Sequence, residues 1–170
     1  MRIKLVAQHL RPVSVVSVAA VGPYEVTTHE AWQHLQHLLV KHGVRSLARP
    51  VFALLRDMPH DVRPEDRRLE LCAQLDETAL RILQAEANIQ TFAGGDYLMA
   101  THRGSYDRLP HIFGQMYAVC SLDMSISLDP KRPRVIVFRN DPATDVPDDL
   151  VAELGMPVIT QAAERPNRAA

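Results

Sequence analysis

Apolar positions along this chain follow two rhythms in turn, and the succession occurs twice. Residues 13–21 form an apolar run broken only by Ser14 and Ser17. Shorter runs at 51–55, 69–75, 97–102 and 135–138 have the length and composition of strands. Helical spacing takes over between them. Over residues 28–41, Trp32, Leu35, Leu38 and Leu39 share one face, with Glu30, His34, His37 and Lys41 opposite. Over residues 109–120 the stripe is Leu109, Ile112, Phe113, Met116, Tyr117 and Cys120. Gly43 supplies the stop expected of the first helix. Residues 57–64 read as a Pro-rich charged loop, 76–88 as a partly helical bridge and 165–170 as a loose tail.

The two rhythms belong to an internal repeat. Gly22-Pro23-Tyr24-Glu25 returns as Gly104-Ser105-Tyr106-Asp107, and from residue 22 to residue 104 the step is 82. The same step carries His29 to His111 and Gln33 to Gln115. Residues 50–59 return as residues 133–142, where the step is 83. Both of these segments run apolar strand, Arg, then Asp or Asn, then Pro. The chain is thus expected to hold two strand–helix–strand–strand units within one domain over 1–170. The first covers about 3–76 and the second about 91–142, with a linker at 77–90 and a C-terminal segment at 143–170. Neither unit can bury its helix face and sheet face alone. The predicted fold class is α+β: a mostly antiparallel sheet with two helices on one face and pseudo-twofold symmetry. The seam between such halves is where pockets form.

Composition narrows the function. Hydrophobic residues at 46% against 23% charged supply a globular core. A formal net charge of -1 offers no basic excess, so direct nucleic-acid binding is not expected. No apolar run approaches the roughly 18 residues of a membrane span, and Gln8, His9 and Arg11 interrupt any signal-peptide pattern. A cytoplasmic location is expected, with Cys72 and Cys120 as reduced core thiols. His29, His34, His37 and His42 read as a solvated helix face and not as a metal site. Gly94-Gly95 is too short for a phosphate loop. No cofactor or metal is expected.

Val21-Gly22-Pro23-Tyr24-Glu25, then Trp32, then GGDYLMATHRGSY at 94–106, then Phe138-Arg139-Asn140-Asp141-Pro142 resembles the gyrase-inhibitor-like (GyrI-like) small-molecule-binding family. The closing stretch 148–158 adds to the likeness. This fold also serves as the effector-binding domain of AraC-type and MerR-type multidrug-responsive regulators. The resemblance implies a cleft between the halves that takes hydrophobic, often cationic, compounds. It implies roles as regulators, as sequestering proteins or as hydrolases of strained electrophiles. Only residues 1–12 precede the first predicted strand, so a helix-turn-helix ahead of it is not expected.

One departure bears on chemistry. Many members of that family carry Glu-x-Tyr just before the Asn-Asp-Pro turn, and those positions here are Ile136 and Phe138. Without the carboxylate the cleft loses its attraction for cations and its acid or base. A neutral, apolar or aromatic ligand is expected. Glu70, in Arg68-Leu69-Glu70, is the one candidate to restore a carboxylate, with a salt bridge as the plainer reading. Phe138 and Ile136, with their repeat counterparts Leu55 and Ala53, are candidate cleft residues. Trp32, Tyr97, Phe113 and Tyr117 join them as rings that either line the cleft or fill the core. No catalytic residue is assigned. The expected function is a stand-alone protein that senses or sequesters a hydrophobic or aromatic compound. The alternatives are a hydrolase with a relocated carboxylate and a protein–protein modulator of DNA gyrase type.

Overall fold

A single antiparallel sheet carries the duplication in the computed structural model of the chain, which describes residues 3–44, 51–58, 61–142 and 144–159. Its strands among the described residues are β1 (Val6–Leu10), β2 (Val13–Val21), β3 (Val51–Leu55), β4 (Arg68–Gln74), β5 (Asn88–Phe92), β6 (Gly95–Arg103), β7 (Arg134–Phe138) and β8 (Val151–Pro157). The helices are α1 (Tyr24–Lys41), α2 (Glu77–Leu83) and α3 (Leu109–Leu122). The strand order is β1-β6-β8-β7-β3-β4-β2-β5, with every pairing antiparallel. The units β2-α1-β3-β4 and β6-α3-β7-β8 meet at the centre through β3 and β7, in the register Val51↔Phe138, Ala53↔Ile136 and Leu55↔Arg134. A pseudo-twofold axis therefore passes between Ala53 and Ile136.

The outermost strands are exchanged. β1 precedes β2 in the chain but pairs with β6, and β5 precedes β6 but pairs with β2. Each unit's leading strand thus closes the far edge of the other unit.

The repeat holds down to single hydrogen bonds. The Tyr24 hydroxyl donates to the Asp57 carbonyl (2.9 Å) and lies 3.4 Å from that of Arg68. The Tyr106 hydroxyl reaches the Asn140 and Val151 carbonyls at 3.3 and 3.0 Å. Gly22 N–H donates to the Arg67 carbonyl and Gly104 N–H to that of Leu150, each at 2.9 Å. Gln33 bonds His29 at 3.0 Å and Gln115 bonds His111 at 3.2 Å, each across one helical turn. These ties fix where each helix leaves the sheet.

Strand alternation splits the apolar residues between two cores. Val16, Val18, Ala53, Leu55, Leu69, Leu71, Ile136, Phe138 and Leu154 face the helices. Val15, Phe52, Leu54, Cys72, Phe92, Tyr97, Met99 and Val135 face the other way. On that side the Phe92 and Tyr97 rings lie 6.3 Å apart, although β5 is last in the strand order and β6 second, because the sheet curls round on itself. α1 packs over β2 and β4, and α3 over β6 and β8. The central pair β3 and β7 is left as a floor between the two helices. At the end of α1, Gly43 (φ 66°) donates to Val40 O and Val44 to Leu39 O, which satisfies two terminal carbonyls.

The structure shows the duplicated α+β fold with the two long helices on one face, where the short α2 joins them through Ala79 and Leu83. Several boundaries differ from expectation. α1 begins at Tyr24, earlier than residue 28, because Pro23 ends the turn and its carbonyl accepts from Val26 and Thr27. A strand, β1, lies within residues 1–12, ahead of the first one predicted. The bridge at 76–88, by contrast, is partly helical as expected: it holds α2, capped by Asp76, whose side chain accepts from Ala79 N–H at 2.8 Å. The segment expected to follow the second unit contains β8, the counterpart of β4. The tail at 165–170 lies outside the described residues, as do Pro50, Pro59 and His60.

Candidate functional site

The splay of α1 and α3 over β3 and β7 leaves a cavity of about 730 Å³ on the pseudo-twofold axis. Leu55, Arg134, Ile136 and Phe138 line it from the central strands. Tyr24, Thr28 and Trp32 do so from α1, and Phe113, Gly114 and Tyr117 from α3. Met58, Met156 and Tyr106 also contribute. Its size suits a drug-sized molecule, since such pockets run from about 300 to 1,000 Å³.

Aromatic rings organise the wall. Phe138 is buried between Trp32, edge-on at 5.3 Å between centroids, and Tyr106 at 5.2 Å. Such edge-to-face pairs hold rings in fixed orientations. The repeat explains why the wall is uneven. The step that takes His29 to His111 takes Trp32 to Gly114. One side of the axis presents an indole, while on the other a Cβ added at Gly114 would meet nothing within 4 Å. An aromatic wall therefore faces an open slot.

The charged groups differ in depth. Glu25, His29 and Asp107 line the cavity but are exposed at its mouth. Arg134 lines it while only 5% exposed. Its Nη2 donates to the Asp57 carbonyl at 2.6 Å, and its guanidinium lies 4.9 Å from the centroid of the Phe113 ring. Burial pushes the Arg134 pKa down, as low dielectric disfavours the charged form. Burial likewise pushes the Tyr24 and Tyr106 hydroxyls above their usual range. Among the described residues three buried side-chain nitrogens have no hydrogen-bond partner, Trp32 Nε1, His42 Nε2 and Arg134 Nε, and the first and last belong to lining residues.

Of the residues singled out from sequence, Trp32, Leu55, Phe113, Tyr117, Ile136 and Phe138 meet around this cavity. Ala53 lies beneath it on the same face of β3 but is absent from the lining. Glu70 and Tyr97 are elsewhere, on the opposite face of the sheet. Strand alternation puts Glu70 between Leu69 and Leu71, which face the helices, so Glu70 faces away. There it accepts from Arg56 Nε at 2.8 Å and from Gln90. Burial acts to raise its pKa, but those hydrogen bonds outweigh it and hold the carboxyl low. The repeat copies the ion pair as Arg139–Glu153 at 2.7 Å. Glu70 therefore puts no carboxylate in the cavity. Tyr97 is fully buried, its hydroxyl donates to the Pro133 carbonyl at 3.1 Å, and burial pushes its pKa up to about 12.

Tyr24 and Tyr106 stand out in the sequence as repeat markers, and nothing there places them in the site. Arg134 and Gly114 do not stand out within their own segments. The signal for the last two was in the repeat itself, at the positions where the two copies disagree: Arg134 against Val51, and Gly114 against Trp32. Among the described residues no group of three or more His, Cys, Asp or Glu could hold a metal, and no helix is long and apolar enough to cross a membrane.

Comparison with known proteins places this geometry. The EcmrR C-terminal domain superposes with a TM-score of 0.75 at 12% identity, over 94% of this chain and 99% of that one. SAV2435 bound to tetraphenylphosphonium superposes with a TM-score of 0.62 at 13% identity, over 92% and 94%. A hydrolase from Listeria innocua does so with a TM-score of 0.64 at 13% identity, over 93% of each chain. At such identities the likeness is one of fold. No curated protein matches the chain. The family profile described as the GyrI-like small molecule binding domain matches residues 7–159, nearly the whole length, and the chain belongs to that family.

Proposed function

We propose that this chain binds a hydrophobic aromatic small molecule in the cavity between α1 and α3, and that it acts by capturing or sensing that compound. The observation that carries the reading is the cavity itself: about 730 Å³, on the symmetry axis, walled by Trp32, Tyr106, Phe113 and Phe138 and floored by Leu55 and Ile136. Ile136 stands where many relatives are expected to hold a carboxylate. The carboxylates that do line the cavity, Glu25 and Asp107, are exposed at its mouth. The chemistry favours holding a ligand over activating water or a nucleophile, which needs an acid or base within hydrogen-bond reach of the reacting atom. That SAV2435 was captured with tetraphenylphosphonium, itself four aromatic rings on one centre, supports an aromatic occupant.

Trp32 is the sole Trp and lines the cavity, so the protein carries its own reporter. Titration with non-absorbing hydrophobic compounds should quench or shift its emission and raise the melting temperature in a concentration-dependent way. Product analysis accompanies each hit. A screen without a single saturable response would overturn the reading, and turnover of an electrophile would replace it with the hydrolase.

A further inference from the structure

Arg134 is a buried cation without a counter-ion. It opens β7 opposite Leu55, lines the cavity and is 5% exposed, yet among the described residues it forms no ion pair. The nearby carboxylate of Asp57 is already committed. It accepts from Arg68 Nη2 at 2.6 Å, from Arg68 Nε at 3.0 Å and from the Arg68 backbone N–H at 2.7 Å. Arg134 is left with the Asp57 carbonyl, the Tyr24 side chain, the through-space pull of the Asp57 carboxylate, the Phe113 ring and an Nε–H that has no acceptor among the described residues. An unpaired buried charge and an orphaned donor are both costly.

The fold does not demand this charge. The counterpart of Arg134 in the first unit is Val51, and the strand there forms the same ladder. Two further features give the interior the same sign. The first turns of both α1 and α3 line the cavity, and helix N-termini carry partial positive charge. Trp32 Nε1 is a second donor without an acceptor among the described residues. The negative groups, Glu25 and Asp107, stand in water at the mouth, where screening is strongest.

We infer that the occupant of this cavity is an aromatic carboxylate, held by its ring between Trp32 and the slot at Gly114 and by its anionic oxygens on Arg134. The inference rests on the proposed binding function and names the chemical class of its ligand. A carboxylate supplies the missing counter-charge and accepts from Nε–H, and charge-assisted bonds to a guanidinium are the strong kind. A cation would meet Arg134 and two helix N-termini, all of the wrong sign.

Calorimetric titration of the intact protein with three matched probes tests this: 2-naphthoate, neutral 2-naphthamide and cationic 2-naphthylmethylammonium. 2-Naphthoate should bind at least about tenfold more tightly than 2-naphthamide, the size of one charged hydrogen bond, and the ammonium should bind weakest. Arg134→Met should remove that preference while 2-naphthamide still binds. The wild-type comparison needs no variant and stands even if that one misfolds. Equal or tighter binding of the amide or ammonium by the wild type would overturn the inference and leave the binding function in place. Binding of none of the three would overturn the inference too, and the broader compound screen would then decide separately whether the cavity takes any ligand.

Discussion

Replacing Gly114 with alanine probes the shape of the cavity wall without altering its chemistry. Gly114 lies in the interior of α3, and the added methyl would meet nothing within 4 Å. No packing is gained and none is strained. What remains is the backbone: glycine inside a helix costs about 0.8–1 kcal/mol relative to alanine, in part through the wider freedom of the unfolded chain. Gly114→Ala should therefore be more stable by about that amount, with the melting temperature up by about 2–4 °C for a chain of this size. In urea the midpoint should rise with the slope unchanged. Gly155→Ala is the opposing control. Its methyl would stand 2.6 Å from Val135 Cγ2 and 2.7 Å from Met99 Sδ, and such overpacking costs about 1–3 kcal/mol. A Gly114→Ala variant that is neutral or less stable would show that the slot beside α3 is filled, and the account of an uneven wall would fail.

Three other expectations concern the frame around the site. Asp57 is held below the ordinary carboxylate range chiefly by its hydrogen bonds from Arg68, so its stabilising effect is present above the unfolded-state pKa near about 4 and is lost as pH falls through the lower folded-state value. Asp57→Asn should flatten the acid limb of a plot of urea midpoint against pH, and an unchanged slope would refute the assignment. Tyr24→Phe and Tyr106→Phe should each cost about 0.5–1.5 kcal/mol in urea unfolding through loss of the tie between helix and strand, and a cost at only one of them would break the claimed equivalence. Cys72 is fully buried with its thiol pushed up to about 12, and Cys120 is 3% exposed with its thiol also raised, by burial. Neither should react with a disulfide reagent at pH 8 in the native state, and prompt labelling of either would contradict the packing.

The legible parts of this fold were those that bury apolar surface. The run at 13–21 coincides with β2 and the run at 51–55 with β3, because both strands lie in the body of the sheet. β1 and β5 escaped because edge strands bury little: VAQHL is exposed along most of its length, and NIQTF buries only Phe92. β8 shows in the sequence only as a closing segment, with Glu153 and Gly155 interrupting its apolar run. The site was half legible. Alternation shows which residues of a strand share a face, but not which face carries the helices, and that is why Glu70 and Tyr97 were gathered with residues across the sheet from them. Arg134 looked like an ordinary charge at a strand end. Its burial comes from the register with Leu55 and from α3 lying above it, neither of which is local in sequence.

The exchange of outer strands sets a clock on the making of the molecule. β1 leaves the ribosome ahead of the other described strands, yet its partner is β6, with Val6 opposite Met99. At about 5–20 residues per second, roughly 5–20 seconds separate the emergence of the two. Until then β1 is an unpaired strand, and the first unit cannot give it an edge. β5 meets the opposite fate: its partner β2 is already present when it emerges. The half of the cavity built on α1 and β3 can thus take shape early, but the strand that completes the far edge of the sheet is made before every other strand described and is held in waiting until β6 has followed it.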